Sequence, residues 1–228
     1  MAGKKTLSIV AISYNEQEHL VHWYQNHKDL ADEFILYDTG SKDSTKLTAN
    51  ALGVNFIDGV WHHDFAEAKN QAIKHATSDW VLMLSPDLWI DKENFEMIQK
   101  AIDNPDDKVA FYMPFLHHFK DWTGEDRDKN VSLKPEEYLS LGHIALIKND
   151  PYIEYRHKVH ENAHESIMER YGAPTIGFLP CTRHHDATNP EFKSSERTRY
   201  YWFLEDMGAV ERKLWEQGAY LRGQAYDR

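Results

Sequence analysis

Apolar and polar positions fall into two alternating regimes over the first hundred residues. Short apolar runs, Leu7 to Ser13, Phe34 to Tyr37, Val54 to Ile57 and Trp80 to Leu84, read as strands. Between them lie stretches with helical spacing: Tyr14 to about Leu30, Ser44 to Leu52, Asp64 to Ala76, and a segment capped by Asp91 that runs through Ile102. Strand and helix in alternation imply an α/β fold, a mostly parallel sheet with helices on both faces. The runs are nearly continuous rather than alternating, as expected of strands covered on both sides.

After Asn104-Pro105 the pattern changes. Val109 to Phe115, Gly142 to Lys148 and Thr175 to Leu179 read as further strands, and Tyr152 to Tyr155 is strand-like. The charged segment His117 to Tyr138 has weak periodicity, and a loop this long in a compact domain is usually functional or mobile. From Pro190 the chain is rich in Arg, Tyr, Trp and Glu at helical spacing, with Tyr200, Phe203, Leu204 and Met207 on one face. The 228 residues are expected to form one domain in three parts, 1–104, 105–189 and a helical end, 190–228.

Charge and cysteine content narrow the class. With 26 basic and 37 acidic side chains the net charge is −11, which argues against a surface built mainly for polyanions. The single cysteine, Cys181, excludes an intramolecular disulfide and fits a reducing compartment. Met1 to Lys5 lacks the apolar core of a signal peptide, and no apolar run approaches the ~20 residues that span a bilayer. The expectation is a soluble, cytoplasmic protein with no membrane span.

Three places carry chemistry. Asp38-Thr39-Gly40-Ser41-Lys42-Asp43-Ser44-Thr45 follows a strand, where open α/β sheets bind ligands; Gly40 would let the backbone come close, although Ser41 or Asp43 also reads as a plain helix cap. Lys69 falls inside the apolar arc Phe65, Ala68, Ala72, Ile73 and Ala76, with Asn70 at its rim. Either Lys69 snorkels past the alanines to water, or it meets an acid such as Asp38 or a bound anion. Asp87 follows the strand ending Leu84-Ser85-Pro86, where a carboxylate can help hold Mg²⁺ or Mn²⁺ or can simply serve the turn. The segment His160-Glu161-Asn162-Ala163-His164 also matches the zinc-protease pattern, but no downstream glycine spacing accompanies it.

Taken in order, these segments resemble the family 2 glycosyltransferases of the GT-A fold. The resemblance rests on Ser8 to Glu16, Asp38 to Thr45, Trp61-His62-His63-Asp64-Phe65-Ala66-Glu67-Ala68-Lys69-Asn70, Ser78 to Leu84, Val159-His160-Glu161 and Thr182-Arg183-His184-His185. It implies a nucleotide-sugar-binding half, 1–104, and an acceptor-side half, 105–189. The donor, expected to be a UDP-sugar, would meet Ser13, Asn15, Glu16, Asp38, Gly40, Ser41, Asp43, Lys69, Asn70 and Ser85, with Asp38 reading the base. A divalent metal, Mn²⁺ or Mg²⁺, would rest on Asp87 with His184 or His185. Glu161 would be the general base of an inverting transfer, with Asp87 as its catalytic partner at the metal. His117 to Tyr138 would be the acceptor-side loop.

The chain departs from the pattern in three places. Ser85 replaces the first acid of the Asp-x-Asp pair, Lys69 replaces an Arg, and Asp186-Ala187 stands where Gly-Tyr is usual. The acceptor is expected to be a saccharide, with a nucleic-acid base or protein side chain as variants; Arg197, Arg199, Arg212, Arg222 and Arg228 keep the former open. A nucleotide-sugar-binding protein without catalysis is the alternative that Ser85 raises.

Overall fold

The computed structural model describes residues 3–118, 140–158 and 161–186. The charged segment from Phe119 onward, His160 and the arginine-rich end from Ala187 lie outside the described residues, and so do the expectations placed on them. Every element below belongs to one compact unit, residues 1–117 and 139–185, with only His118 and Asp186 beyond it.

The elements follow the expected order. Strand β1 (Leu7–Ser13) leads to helix α1 (Gln17–His27), β2 (Glu33–Asp38) to α2 (Thr45–Leu52), and β3 (Asn55–Asp58) to α3 (Phe65–Ile73). Next come β4 (Trp80–Met83), the two-residue β5 (Leu88–Trp89) and α4 (Phe95–Asp103). The chain closes with β6 (Ala110–His118), β7 (Ser140–Lys148), α5 (His164–Arg170), β8 (Ile176–Phe178) and β9 (Arg183–Asp186). Asp91 does not cap α4 directly: a single 3₁₀ turn, Lys92–Asn94, intervenes. Tyr152 to Tyr155 forms no strand, because its backbone is held by side chains described below.

The sheet order is β3-β2-β1-β4-β7-β6-β9-β5, with β8 beside β6. From β3 to β4 it is parallel; β7 then joins β4 antiparallel, and β6 joins β7 antiparallel. The break in pattern after Asn104-Pro105 is this change of direction.

Alternate residues of the central strands supply two cores. Leu7, Ile9 and Ala11 of β1, with Leu36 and Leu82, pack under Leu20 and Trp23 of α1 and Ile98 and Ile102 of α4. Val10, Ile35, Val81 and Met83 face the other way, against Ala66 and Ala72 of α3 and Ile167 of α5. Helices on both faces are why β1 and β4 carry almost no polar positions.

Candidate functional site

The carboxyl ends of β1 and β2 are tied together by one carboxylate. Asp38 is 5% exposed and ends β2 in register with Ser13, the last residue of β1. Its Oδ1 accepts from the hydroxyls of Ser13 and Ser41, and its Oδ2 accepts from the backbone N–H groups of Gly40 (3.0 Å) and Ser41 (2.8 Å). Gly40 sits at φ +103°, a conformation that side chains resist. Asn15, also at positive φ, completes the knot: its N–H donates to Ser41 Oγ, and its Oδ1 accepts from Lys42 N–H.

Asp43 does the same for two helix starts. Its Oδ1 accepts from Thr45 N–H and Oγ1, and its Oδ2 accepts from Gln17 N–H at 3.3 Å. A carboxylate suits the positive ends of both dipoles. Glu16 donates its N–H to Thr45 Oγ1 and pairs with His19 at 2.7 Å. The close approach of Gly59 to this end of the sheet is enforced, since a Cβ there would lie 2.3 Å from the Tyr37 ring and 2.8 Å from Asp38 O.

Asp87 sits beyond β4, on a segment gripped by α1. Trp23 Nε1 donates to Leu84 O (2.9 Å), Asn26 Nδ2 donates to Ile90 O (2.9 Å), and His27 Nε2 accepts from Ile90 N–H (3.1 Å). The His27 tautomer follows: Nδ1–H donates to Trp23 O at 2.7 Å. Burial pushes the His27 pKa down to about 4 against the opposing pull of that carbonyl. Asp87 itself is buried. Its Oδ2 lies 3.0 Å from His185 Nε2, while its Oδ1 has no hydrogen-bond partner among the described residues.

Strand alternation separates the two adjacent histidines. His185 faces Asp87, whereas His184 stacks on Trp89 (5.2 Å between rings, 17°) and pairs with Asp91 at 3.2 Å. Of the two histidines expected at a metal, the structure brings His185 to Asp87 and leaves His184 elsewhere. Ser85 forms the turn, its carbonyl accepting from Leu88 N–H.

Lys69 does have an acidic partner, but it is Glu161, 2.6 Å away, and not Asp38. Its ammonium also lies 5.0 Å from the centre of the Tyr155 ring. Neighbouring Asn70 holds the Tyr155 backbone by both groups, donating to its carbonyl and accepting from its N–H, each at 2.8 Å. Tyr155 is buried, donates its hydroxyl to Ile144 O (3.0 Å), and has its phenol held well above the usual range by burial.

Arg183 is the residue that sequence reasoning passed over. It is 5% exposed, donates to Met113 O at 3.2 Å, and lies 5.2 Å from the Phe115 ring centre. Burial lowers its pKa only to about 10, so it stays charged at neutral pH. Its signal in the sequence was a buried-strand alternation, Cys181-Thr182-Arg183-His184-His185, with a cation on an inward position.

These contacts form two runs of side chains: Asp87, His185, Phe115 and Arg183 in one, and Tyr155, Lys69 and Glu161 in the other. The Asp38 knot is held separately by β1 and β2. Glu161 lies before α5, which begins only at His164, so among the described residues these two do not share the helix a zinc-protease pattern needs. Among the described residues no three His, Cys, Asp or Glu side chains gather as a ready-made metal site. The Asp87–His185 pair nevertheless fits a divalent ion, because it offers a buried, orphaned carboxylate oxygen beside an imidazole nitrogen.

A mixed sheet whose carboxyl ends gather loop carboxylates, a strand-end acid and a late histidine defines a sugar-transferase scaffold of the GT-A type. The chain belongs to glycosyl transferase family 2, whose profile matches residues 8–169. It is 31% identical over 192 residues to the SPbeta prophage-derived glycosyltransferase SunS of Bacillus subtilis, covering 81% of this chain and 40% of that protein. It is 30% identical over 167 residues to a TPR repeat-containing protein of Synechococcus elongatus, 73% of this chain and 38% of the other. The chain thus spans about two fifths of the length of these curated relatives.

Among solved structures, glucosyl-3-phosphoglycerate synthase from Mycobacterium tuberculosis bound to phosphoglyceric acid superposes with a TM-score of 0.58. That match has 16% identity over 88% of this chain and 79% of that one. The same synthase with Mn²⁺ and UDP-glucose gives a TM-score of 0.55 over 83% and 74%. At this identity the likeness is one of fold. No helix among the described residues is long and apolar enough to cross a membrane.

Proposed function

We propose that the chain transfers a sugar, a hexose or a pentose, from a nucleotide-diphosphate donor, UDP-linked, to a saccharide hydroxyl with inversion. The observation that carries this reading is the orphaned Asp87 Oδ1 beside His185, at the carboxyl end of β4 in a family 2 sheet. Asp87 and His185 would hold Mn²⁺ or Mg²⁺, with donor phosphates and water completing the shell, since so few protein ligands suit a hard cation that keeps its waters. When bound, that ion supplies charge for the leaving diphosphate. The mycobacterial synthase, which binds Mn²⁺ with UDP-glucose on this fold, supports both the donor and the metal class.

The protein's own groups divide the remaining work. The knot around Asp38, Ser13, Asn15, Gly40 and Ser41, backed by Glu16 and Asp43, receives the nucleoside; Ser85 and Asn70 border the diphosphate. Lys69 Nζ donates to Glu161 Oε1, and Glu161 Oε2 takes no hydrogen bond from a described residue. Lys69 thereby orients Glu161 so that Oε2 can accept the acceptor hydroxyl proton as the glycosidic bond forms.

Titrating Mn²⁺ with and without UDP tests the reading. Metal should bind weakly alone and far more tightly with UDP, because each completes the other's coordination. Asp87→Ala should abolish that coupling together with turnover of UDP-sugars. Full turnover in chelator, or in Asp87→Ala, would sink the metal assignment. Because Ser85 leaves a single strand-end carboxylate, a non-catalytic nucleotide-sugar-binding protein is the second reading. Tight UDP-sugar binding in Mn²⁺ with neither hydrolysis nor transfer to any acceptor would favour it.

A further inference from the structure

Arg183 is a buried guanidinium that no acid among the described residues meets. Among the described residues its one hydrogen bond goes to Met113 O, its Nε is buried without a partner, and no carboxylate pairs with it. Five N–H donors with one neutral acceptor is a costly state for an ion taken out of water. The Phe115 ring recovers part of the cost and gives no counter-charge. A charge kept in such a place, unpaired among the described residues, is open to a bound anion.

Its position says which partner. Arg183 and His185 are two apart on β9, so both side chains lie on one face of the strand, about 7 Å apart along it. Both also contact the same ring: Phe115 lies 5.2 Å from the guanidinium and 5.6 Å from the His185 imidazole. The β9 register sets His185 opposite Leu88, the residue after Asp87. Position 85 is an uncharged serine, so Asp87 is the single carboxylate at this strand end. One carboxylate beside a fixed guanidinium holds a lone dication poorly. It holds a dication together with a multiply charged anion well.

We propose that Arg183 is an oxyanion-binding residue whose guanidinium takes the diphosphate of the donor, sharing that group with the Asp87–His185 pair. This rests on the nucleotide-diphosphate donor argued above. The planar fork suits two phosphoryl oxygens, and desolvation strengthens each charge-assisted bond. The guanidinium then carries part of the leaving-group charge. Part of the affinity for the diphosphate therefore survives when metal is removed.

Calorimetry on the full chain in excess chelator tests this with three probes: UDP, uridine and inorganic pyrophosphate. The wild type should bind all three, and UDP should displace pyrophosphate. Arg183→Gln should weaken UDP and pyrophosphate tenfold to a hundredfold and leave uridine unchanged, while Arg183→Lys recovers part of the loss. Arg183→Met should melt no lower than the wild type, since it removes an unpaired charge and keeps apolar volume; a merely structural arginine would lower the melting point. Unchanged pyrophosphate affinity in Arg183→Gln, or simultaneous independent binding of UDP and pyrophosphate, overturns the proposal and leaves the donor reading standing. If the wild type binds neither uridine nor UDP, the donor reading falls. Pyrophosphate binding lost in Arg183→Gln would even then uphold the oxyanion site.

Discussion

At the scale of single residues, the carboxylate of Asp38 is already fully engaged. Two hydroxyls and two backbone N–H groups use its four lone-pair positions. Any base it reads must displace a serine hydroxyl, so binding and loop order are linked. Asp38→Asn, which cannot accept at its amide nitrogen, is expected to cost about 1–3 kcal/mol of stability and to weaken UDP in parallel. Thermal melts with and without UDP check both halves; lost affinity at an unchanged melting point would contradict the linkage. Lys69 and Glu161 are 19% and 17% exposed, so breaking their pair strands a partly desolvated charge. Lys69→Met should destabilise by roughly 1–3 kcal/mol, and adding Glu161→Gln should restore most of it, a coupling that a double-mutant cycle reads directly. The anomaly of a lysine within an apolar arc was legible in the sequence. Its partner was not, because Glu161 lies 92 positions away and local periodicity carries no such information. The choice between His184 and His185 was equally hidden, since it depends on the register of β9 against β5.

Among elements, α1 acts as a clamp on the Leu84–Ile90 segment that carries Ser85 and Asp87. His27 must be neutral to accept from Ile90 N–H. Its pKa is about 6.5 when unfolded and about 4 when folded, so between these values the unfolded chain binds more protons. Stability from this group is complete above the unfolded value and is lost as pH falls toward the folded one. The loss is about 2 kcal/mol by pH 5 and on the order of 3 kcal/mol in full. Urea unfolding across that range should show this step in the wild type and lack it in His27→Gln. Helix α3 holds the Tyr155 backbone through Asn70 as a strand neighbour would. Asn70→Asp keeps one bond and sets a carboxylate against a carbonyl, which should cost about 2 kcal/mol or more. Strands β1, β2 and β4 were plain in the sequence because their apolar runs are covered on both faces. Strands β5 and β9 were not: two residues give no period, and in β9 the inward positions are held by Arg183 and His185, so its alternation carries no apolar signal.

For the molecule as a whole, ligand and fold should be measurably coupled. UDP with Mn²⁺ at a hundredfold excess over its dissociation constant adds about 2.7 kcal/mol, a melting shift of roughly 5–10 °C for a chain of this size. A shift with UDP that is indifferent to Mn²⁺ would contradict the shared site. The parallel and antiparallel parts of the sheet meet at β4, whose four residues Trp80, Val81, Leu82 and Met83 are all buried between β1 and β7. Residues 1–104 contain a full strand–helix series yet end on that open edge. Expressed alone, they should aggregate rather than yield a monomer by light scattering, because a flat apolar edge recruits other chains. During synthesis the same edge waits for Leu146 and Ile147 to leave the ribosome, on the order of several seconds. A nascent chain in that interval presents an unpaired apolar strand to every neighbour, so soluble yield in the cell should rise with the speed at which β7 arrives and with holdases that cover β4 until it does.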